Sequence, residues 1–167
     1  MNAEAYLGLG GNLGNPKETF EKALHLISDF VIIEKISRLY KSAPFGYADQ
    51  PPFINAAVQI RTESPPLELL SQLQIIEKKL GKKVIHKNGP RIIDLDLLVY
   101  KELTLESENL TLPHPGILDR DFVLLPLLDL NPRLTQPAWG SKTLKSALSG
   151  LQKRFIRDKP EDWDYLI

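Results

Sequence analysis

Two aspartates stand two residues apart in the segment Gly89-Pro90-Arg91-Ile92-Ile93-Asp94-Leu95-Asp96-Leu97-Leu98. Ile93, Leu95 and Leu97 alternate with Asp94 and Asp96. In a strand, that period of two sends the apolar side chains to one face and both carboxylates to the other. Residues two apart lie about 6.6 Å apart along a strand, a pitch at which paired carboxylates can share two hard cations about 3.5–4 Å apart. That arrangement serves phosphoryl transfer. The alternative is the solvated outer face of an edge strand. Against it, Leu98 and Val99 follow at once, so the carboxylates interrupt an apolar strand, where unpaired charge is costly.

The residues around this segment have matching chemistry. Lys82, Lys83, His86, Lys87 and Arg91 fall within ten residues. Cations there can neutralise phosphate oxygens while the aspartates hold metal ions; otherwise the stretch is a solvated loop. The loop 81–89 has almost no apolar anchor besides Val84 and Ile85, so it is expected to be mobile in the free protein and to order over bound nucleotide. Gln74 and Glu77, three residues apart, share one helix face opposite most of a leucine stripe. They face either solvent or a ligand. Pro113-His114-Pro115 holds a histidine between two prolines, suited to donating a hydrogen bond to an anion, with Arg120 as a second anion ligand. Phe45, Tyr47 and Phe53 with Asn55 suit a planar heterocycle, which rings can sandwich while an amide reads its edge; alternatively Phe53 only packs the core.

Composition closes other routes. Lys plus Arg and Asp plus Glu each total 21, so charge balance gives no support for a nucleic-acid or membrane partner. Cysteine is absent, which excludes thiol catalysis, disulfides and thiolate metal sites. Three histidines without His-x-His or His-Glu-x-x-His argue against zinc. The start is not that of a signal peptide, and no stretch approaches the roughly 20 apolar residues of a membrane span. A cytoplasmic location is expected. Gly8, Gly10, Gly11 and Gly14 invite a dinucleotide-binding reading, but the later elements do not alternate as βαβ. No Walker A loop occurs; Gly140-Ser141-Lys142-Thr143 lacks the upstream spacing.

The positioning elements follow from pattern. Residues 5–9 form a first strand, and the four glycines a turn after it. Asn15 and Pro16 are N-cap and first position of a helix striped by Phe20, Ala23, Leu24 and Ile27. Residues 31–41 read as one long strand, 43–52 as a loop with three prolines and a glycine, and 53–61 as a third strand antiparallel to 31–41. Ser64-Pro65-Pro66 opens a second helix with Leu69, Leu70, Leu73, Ile76 and Leu80 on its stripe, ended by Gly81. The acidic strand spans 91–100, a short strand 103–105, and short helices 119–128 and 143–151. The order β-α-β-β-α-β predicts an α+β, ferredoxin-like antiparallel sheet with both helices on one face. Extra C-terminal helices cover part of the other. No repeat or linker divides the chain, so 1–167 reads as a single domain.

Together these segments resemble the 6-hydroxymethyl-7,8-dihydropterin pyrophosphokinase family, from the glycine segment at 8–12 to about residue 132. The resemblance rests on Gly-Gly-Asn-Leu-Gly, on Asp49-Gln50-Pro51-Pro52-Phe53-Ile54-Asn55-Ala56-Ala57-Val58, on Gly-Pro-Arg-x-x-Asp-x-Asp and on Leu112-Pro113-His114-Pro115. It implies that ATP gives its β,γ-pyrophosphate to the pterin hydroxymethyl group and leaves AMP. Asp94 and Asp96 match ligands of two Mg²⁺ ions. Phe53 and Asn55 match pterin contacts, Phe122 the ring on the other face, and Ser42, Ala43 and Phe45 loop contacts made mainly through backbone. Gln74, Glu77, Arg91, Leu97, Thr111, His114 and Arg120 match nucleotide-binding positions. Lys82 and Lys83 stand where many members have arginines, and Asn88 where many have tryptophan, in a loop one residue shorter. Lys82, Arg91 and Arg120 are expected to neutralise charge as AMP leaves, and Asp96 to be the candidate proton acceptor. A monomer is expected, with ATP and the pterin as its only partners. The competing class is a non-catalytic ferredoxin-like paralogue that binds nucleotide or pterin without turnover.

Overall fold

The computed structural model describes residues 2–46, 48–83, 86–163 and 165. Tyr47, Val84 and Ile85 lie outside the described residues. One sheet organises the chain. Its strands are β1 (Ala3–Gly11), β2 (Ile32–Ile36), β3 (Tyr40–Ser42), β4 (Phe53–Thr62) and β5 (Asp94–Tyr100). The order is β2-β4-β1-β5, with β3 also on β4 and every pairing antiparallel. This is the expected ferredoxin-like order, and it makes β5 an edge strand.

Helices α1 (Pro16–Ile27) and α2 (Pro66–Lys79) cover one face. Asn15 caps α1 by accepting from the Glu18 N–H at 3.2 Å, and Pro16 takes the first turn. The expected stripe Phe20, Ala23, Leu24 and Ile27 is buried, together with Leu69, Leu73 and Ile76 of α2. They pack on Leu7, Leu9, Val58, Ile60, Leu95 and Leu97. On the other face, α3 (Asp121–Leu130) and α4 (Leu144–Gly150) bury a second cluster around Tyr6, Ala57, Leu98 and Val99. These two helices start one or two residues later than expected. They leave the end of the sheet near Gly10 uncovered. Among the described residues, no helix is long and apolar enough to cross a membrane.

Three elements differ from expectation. Gly8, Gly10 and Gly11 are not a turn but part of β1, which runs to Gly11; only Gly14, at φ 65°, takes a turn conformation. The strand expected over 31–41 is two strands. At the break, Ser37 replaces part of the ladder with its side chain, its Oγ accepting from the Ala57 N–H at 2.8 Å. The short strand lies at β6 (Leu105–Glu106), paired with β7 (Thr111–Leu112).

The break also docks the two layers. Asp129 on α3 accepts from Arg38 Nη2 at 2.8 Å, from the Arg38 N–H at 3.1 Å and from the Tyr40 hydroxyl at 2.8 Å. Burial pushes the Asp129 carboxyl up, but these bonds outweigh it and hold it below its ordinary value. A depressed carboxylate stabilises the fold above its unfolded pKa and loses that effect as pH falls through the folded value. Asp129→Asn is therefore expected to unfold about 1–3 kcal/mol more easily at neutral pH. Urea titrations should show that gap closing as pH falls below about 4. A gap that persists undiminished at pH 2 would assign the loss to packing instead.

Candidate active site

The two aspartates lie where the alternation put them. Leu95 and Leu97 enter the core beneath α1 and α2, while Asp94 and Asp96 face the other side. Leu7 pairs with Leu97 and Tyr6 with Val99, so Leu98 is an extra, bulged residue. The bulge puts Leu98 and Val99 together on the second face, which explains why the apolar run follows the aspartates so abruptly.

Beside them runs a trough without side chains. Gly8 lies between Ala57 of β4 and Asp96 of β5, and Gly10 between Asn55 and Asp94. Asn55 and Asp94 are thus two strand spacings apart, roughly 10 Å. The strand glycines cost local stability but leave the centre of the sheet bare as a cleft floor. Gly11 has a second reason. A Cβ there would lie 2.6 Å from the Ile92 carbonyl oxygen, so only glycine lets that segment close on β1.

Around the floor, the cleft is lined by Ser42, Ala43, Phe45, Phe53 and Asn55 on one side and by Arg91, Asp94, Asp96 and His114 on the other, with Arg120 and Phe122 above. Asn55 is buried. Its Nδ2 donates to the Tyr40 carbonyl at 3.0 Å and to Ser42 Oγ at 2.8 Å. With the amide hydrogens committed, Oδ1 is left as an acceptor beside Gly10, whose Cβ would meet it at 3.8 Å. Phe45 and Phe122 lie 6.2 Å apart, and the Arg120 guanidinium sits 4.5 Å from the Phe45 ring centre. One side of the cleft therefore offers rings and an amide acceptor, and the other offers carboxylates.

The charges are arranged unevenly. Lys82 Nζ bonds Asp94 Oδ1 at 2.7 Å and Glu77 Oε2 at 2.8 Å. Burial would lower the Lys82 pKa, but these carboxylates raise it, so the ammonium persists. Asp96 has no hydrogen bond or ion pair among the described residues. It opens onto the cleft yet is ringed by protein. Burial first, then the charges of Asp94 and Glu77, push its carboxyl up to about 7 despite Lys82 and Arg120. A carboxylate that is exposed to the cleft, has no protein partner among the described residues and stands beside a second one fits a hard divalent cation, whose oxygen ligands these would be. The histidine is held neutral: burial, then Arg120, lower its pKa, and Nδ1 accepts from the Gly116 N–H at 3.0 Å. Its other ring nitrogen then carries the hydrogen. The His114 N–H is anchored to the Leu98 carbonyl at the bulge, at 2.8 Å.

Not every expected residue borders the cleft. Glu77 does not share an exposed face with Gln74. It is buried, 7% exposed, and its Oε2 also accepts from the Leu95 N–H at 2.8 Å. It thus satisfies the free edge of β5 and holds Lys82, while Gln74 points to solvent on α2. Leu97 is a core side chain, 2% exposed, so no side-chain contact from it reaches a ligand in the cleft. Thr111 is half-buried in β7, and Lys83 is exposed in the loop. Arg91 does line the cleft, but its guanidinium is turned onto its own loop, donating to the Gly89 and Pro90 carbonyls at 2.8 and 3.1 Å, with Nε 3.8 Å from Asp94.

Two residues that sequence reasoning missed tie the loops together. Asn12 is buried; its Oδ1 accepts from the Arg91 N–H at 2.9 Å, and its Nδ2 donates to Gln50 Oε1 and to the Pro51 carbonyl, both at 2.9 Å. Gln50 in turn donates to the Asn88 carbonyl at 2.7 Å. Asn12 and Gln50 stood within the segments singled out above, but a polar residue in a glycine- or proline-rich stretch reads equally well as turn chemistry. Asn88 lines the cleft with φ 58°, a left-handed conformation that asparagine tolerates better than most residues.

Residues 6–132 match the family model described as 7,8-dihydro-6-hydroxymethylpterin-pyrophosphokinase (HPPK). The chain belongs to this family. The 2-amino-4-hydroxy-6-hydroxymethyldihydropteridine pyrophosphokinase of Aquifex aeolicus is 39% identical over 82% of this chain and 86% of its own length. The folic acid synthesis protein fol1 of Schizosaccharomyces pombe is 40% identical over 93% of this chain, which spans 21% of that protein. The chain thus covers about a fifth of the long fungal relatives and most of the shorter bacterial ones. Among solved structures, the wild-type HPPK-DHPS of Plasmodium falciparum superposes with a TM-score of 0.73 at 17% identity, over 89% of this chain and 44% of that one. At that identity the likeness speaks for the fold.

Proposed function

We propose that this chain transfers the β,γ-pyrophosphate of ATP to the hydroxymethyl oxygen of 6-hydroxymethyl-7,8-dihydropterin, releasing AMP, as a step of folate synthesis. One observation carries the reading. The bare trough of Gly8 and Gly10 separates an aromatic, amide-bearing pocket from paired carboxylates by about two strand spacings. A planar heterocycle on one side then points a short substituent at a polyphosphate on the other. The family membership and the names of the relatives of similar length agree with it.

In this reading the chain's own groups bind and orient. Asn55 Oδ1 accepts a hydrogen bond from the pterin edge, and Phe53 and Phe122 take its faces. Asp94 and Asp96 would hold two Mg²⁺ ions, which would supply Lewis-acid polarisation of the phosphate oxygens. His114 donates to a phosphate oxygen through its remaining N–H. Arg120, which has no ion pair among the described residues, neutralises charge on the departing AMP. Lys82 reaches nucleotide only by leaving Asp94 or Glu77, so its first role is to hold those carboxylates. Holding both reactants in one cleft supplies much of the acceleration. A carboxylate shared with a cation would be a weak base, so Asp96 would serve as a metal ligand rather than a proton acceptor. We further propose that 1–167 works as one domain, as a cytoplasmic monomer.

The direct test is chromatography of nucleotides after incubating the protein with ATP and Mg²⁺, with and without the reduced pterin. AMP is expected only when the pterin is present, in a one-to-one ratio with pterin diphosphate. ADP as the product, or AMP formed equally without pterin, would remove the proposal.

A further inference from the structure

The family match ends at residue 132, yet the chain beyond it returns to the back of the cleft wall. Residues 155–161 run along β3. The Ala43 N–H donates to the Phe155 carbonyl at 3.0 Å, and Leu39 and Glu161 exchange backbone bonds at 2.8 and 2.9 Å. Further on, Trp163 packs edge-on against Phe20 and donates to the Ser37 carbonyl at 2.7 Å. This strap backs β3, which ends at Ser42, and the Ala43 that follows it.

Its first residue enters the aromatic wall. The Phe155 ring centre lies 5.5 Å from that of Phe45 and 5.6 Å from that of Phe122, the latter pair edge-on at 86°. Phe45 and Phe122 line the cleft; Phe155 stands behind them and does not. A single carboxylate fixes the junction. Asp121, 1% exposed, accepts from the Phe155 and Ile156 N–H groups with Oδ2, both at 2.9 Å. Asp121 is also the residue before Phe122, so one buried anchor sets the strap and the cleft ring together. Among the described residues the other oxygen, Oδ1, is buried without a partner, so the carboxylate is kept at a desolvation cost for the two backbone bonds that tie the strap to α3.

We propose that Phe155 is a positioning residue for the pterin: its ring backs Phe45 and Phe122 and so keeps Phe122 facing Phe53 across the heterocycle, and the strap after it keeps β3 in place. The inference rests on the pterin reading of the cleft. Ring pairs of this geometry have a preferred orientation beyond simple burial, so leucine keeps an apolar side chain there but, being smaller and without a ring, releases the two rings.

The experiment is steady-state AMP formation by Phe155→Leu, Phe155→Ala and Phe155→Tyr, with thermal unfolding of each. Phe155→Leu should melt cooperatively and raise the pterin KM about tenfold, as expected for losing two ring contacts. The ATP KM and kcat should stay within about twofold of wild type, and Phe155→Tyr should restore the pterin KM. If Phe155→Ala fails to fold, Phe155→Leu decides. An unchanged pterin KM in Phe155→Leu, or equal rises in both KM values, would overturn the proposal, as would a tyrosine variant as impaired as leucine. Wild-type protein that makes no pterin-dependent AMP would instead overturn the reading of the cleft.

Discussion

Replacing Asp96 with alanine is expected to lower pyrophosphoryl transfer by about 10³-fold or more, because charge stabilisation at the reacting phosphates is the main catalytic contribution. The same variant should be no less stable than wild type. Asp96 has no partner among the described residues, and its charge is opposed by Asp94 and Glu77, so the fold loses a repulsion rather than a bond. Asp94→Ala should be equally inactive but less stable, since it strips Lys82 of its 2.7 Å partner and leaves the ammonium on Glu77 alone. AMP formation in excess Mg²⁺ and thermal unfolding at neutral pH separate the two. If Asp96→Ala turns over within tenfold of wild type, the carboxylates do not hold the cation. If it melts well below wild type, Asp96 has a structural partner that the geometry does not reveal. Catalytic carboxylates kept at a cost to stability are a recurrent feature of active sites.

The same charges show what could be read from the sequence. Alternation over Ile93–Leu97 fixed the faces of β5 because one face is buried, and a one-residue slip would have exposed every leucine. The bulge at Leu98 was not legible, since nothing local marks the extra residue. The stripe of α1 was legible as it stood. On α2 it misplaced Glu77, because helical period assigns a glutamate to solvent unless a distant group claims it. Here the claimants are the Leu95 N–H, 18 residues on, and Lys82. A run of glycines after a strand reads as a turn because glycine in a strand interior is normally unfavourable. Their reason is the cleft floor that Gly8 and Gly10 form between β4 and β5, with Leu98 packed close over Gly8, a property of three adjacent strands and not of the segment. The resemblance put most cleft residues in place by position, but it could not say that Leu97 faces the core or that Lys82 is occupied. The strap was unread because residues 152–163 have no periodicity; its register comes from Ala43, Asp121 and Ser37.

Asn55→Ala should weaken pterin binding about 10- to 100-fold while leaving ATP binding nearly unchanged. The asymmetry follows from position: Asn55 lies across the glycine trough from Asp94, on the side away from the paired carboxylates. Its amide hydrogens are held by the Tyr40 carbonyl and Ser42 Oγ, so Oδ1 is fixed before any ligand arrives. A pre-set acceptor loses little entropy on binding, and a ligand N–H buried against alanine would lose its partner outright. Ser42→Ala removes one of the two groups holding the amide and should weaken pterin binding less, by about two- to fivefold, again sparing ATP. Calorimetry with each ligand separately measures both variants. Asn55 also bridges β4 to β3, so a purely structural role would loosen β3 and the loop after it. Such loosening would act on everything those elements support. Equal losses for pterin and ATP, or a Ser42→Ala loss as large as that of Asn55→Ala, would therefore assign Asn55 to the sheet. A large pterin loss with unchanged ATP affinity would assign it to the recognition of the heterocycle.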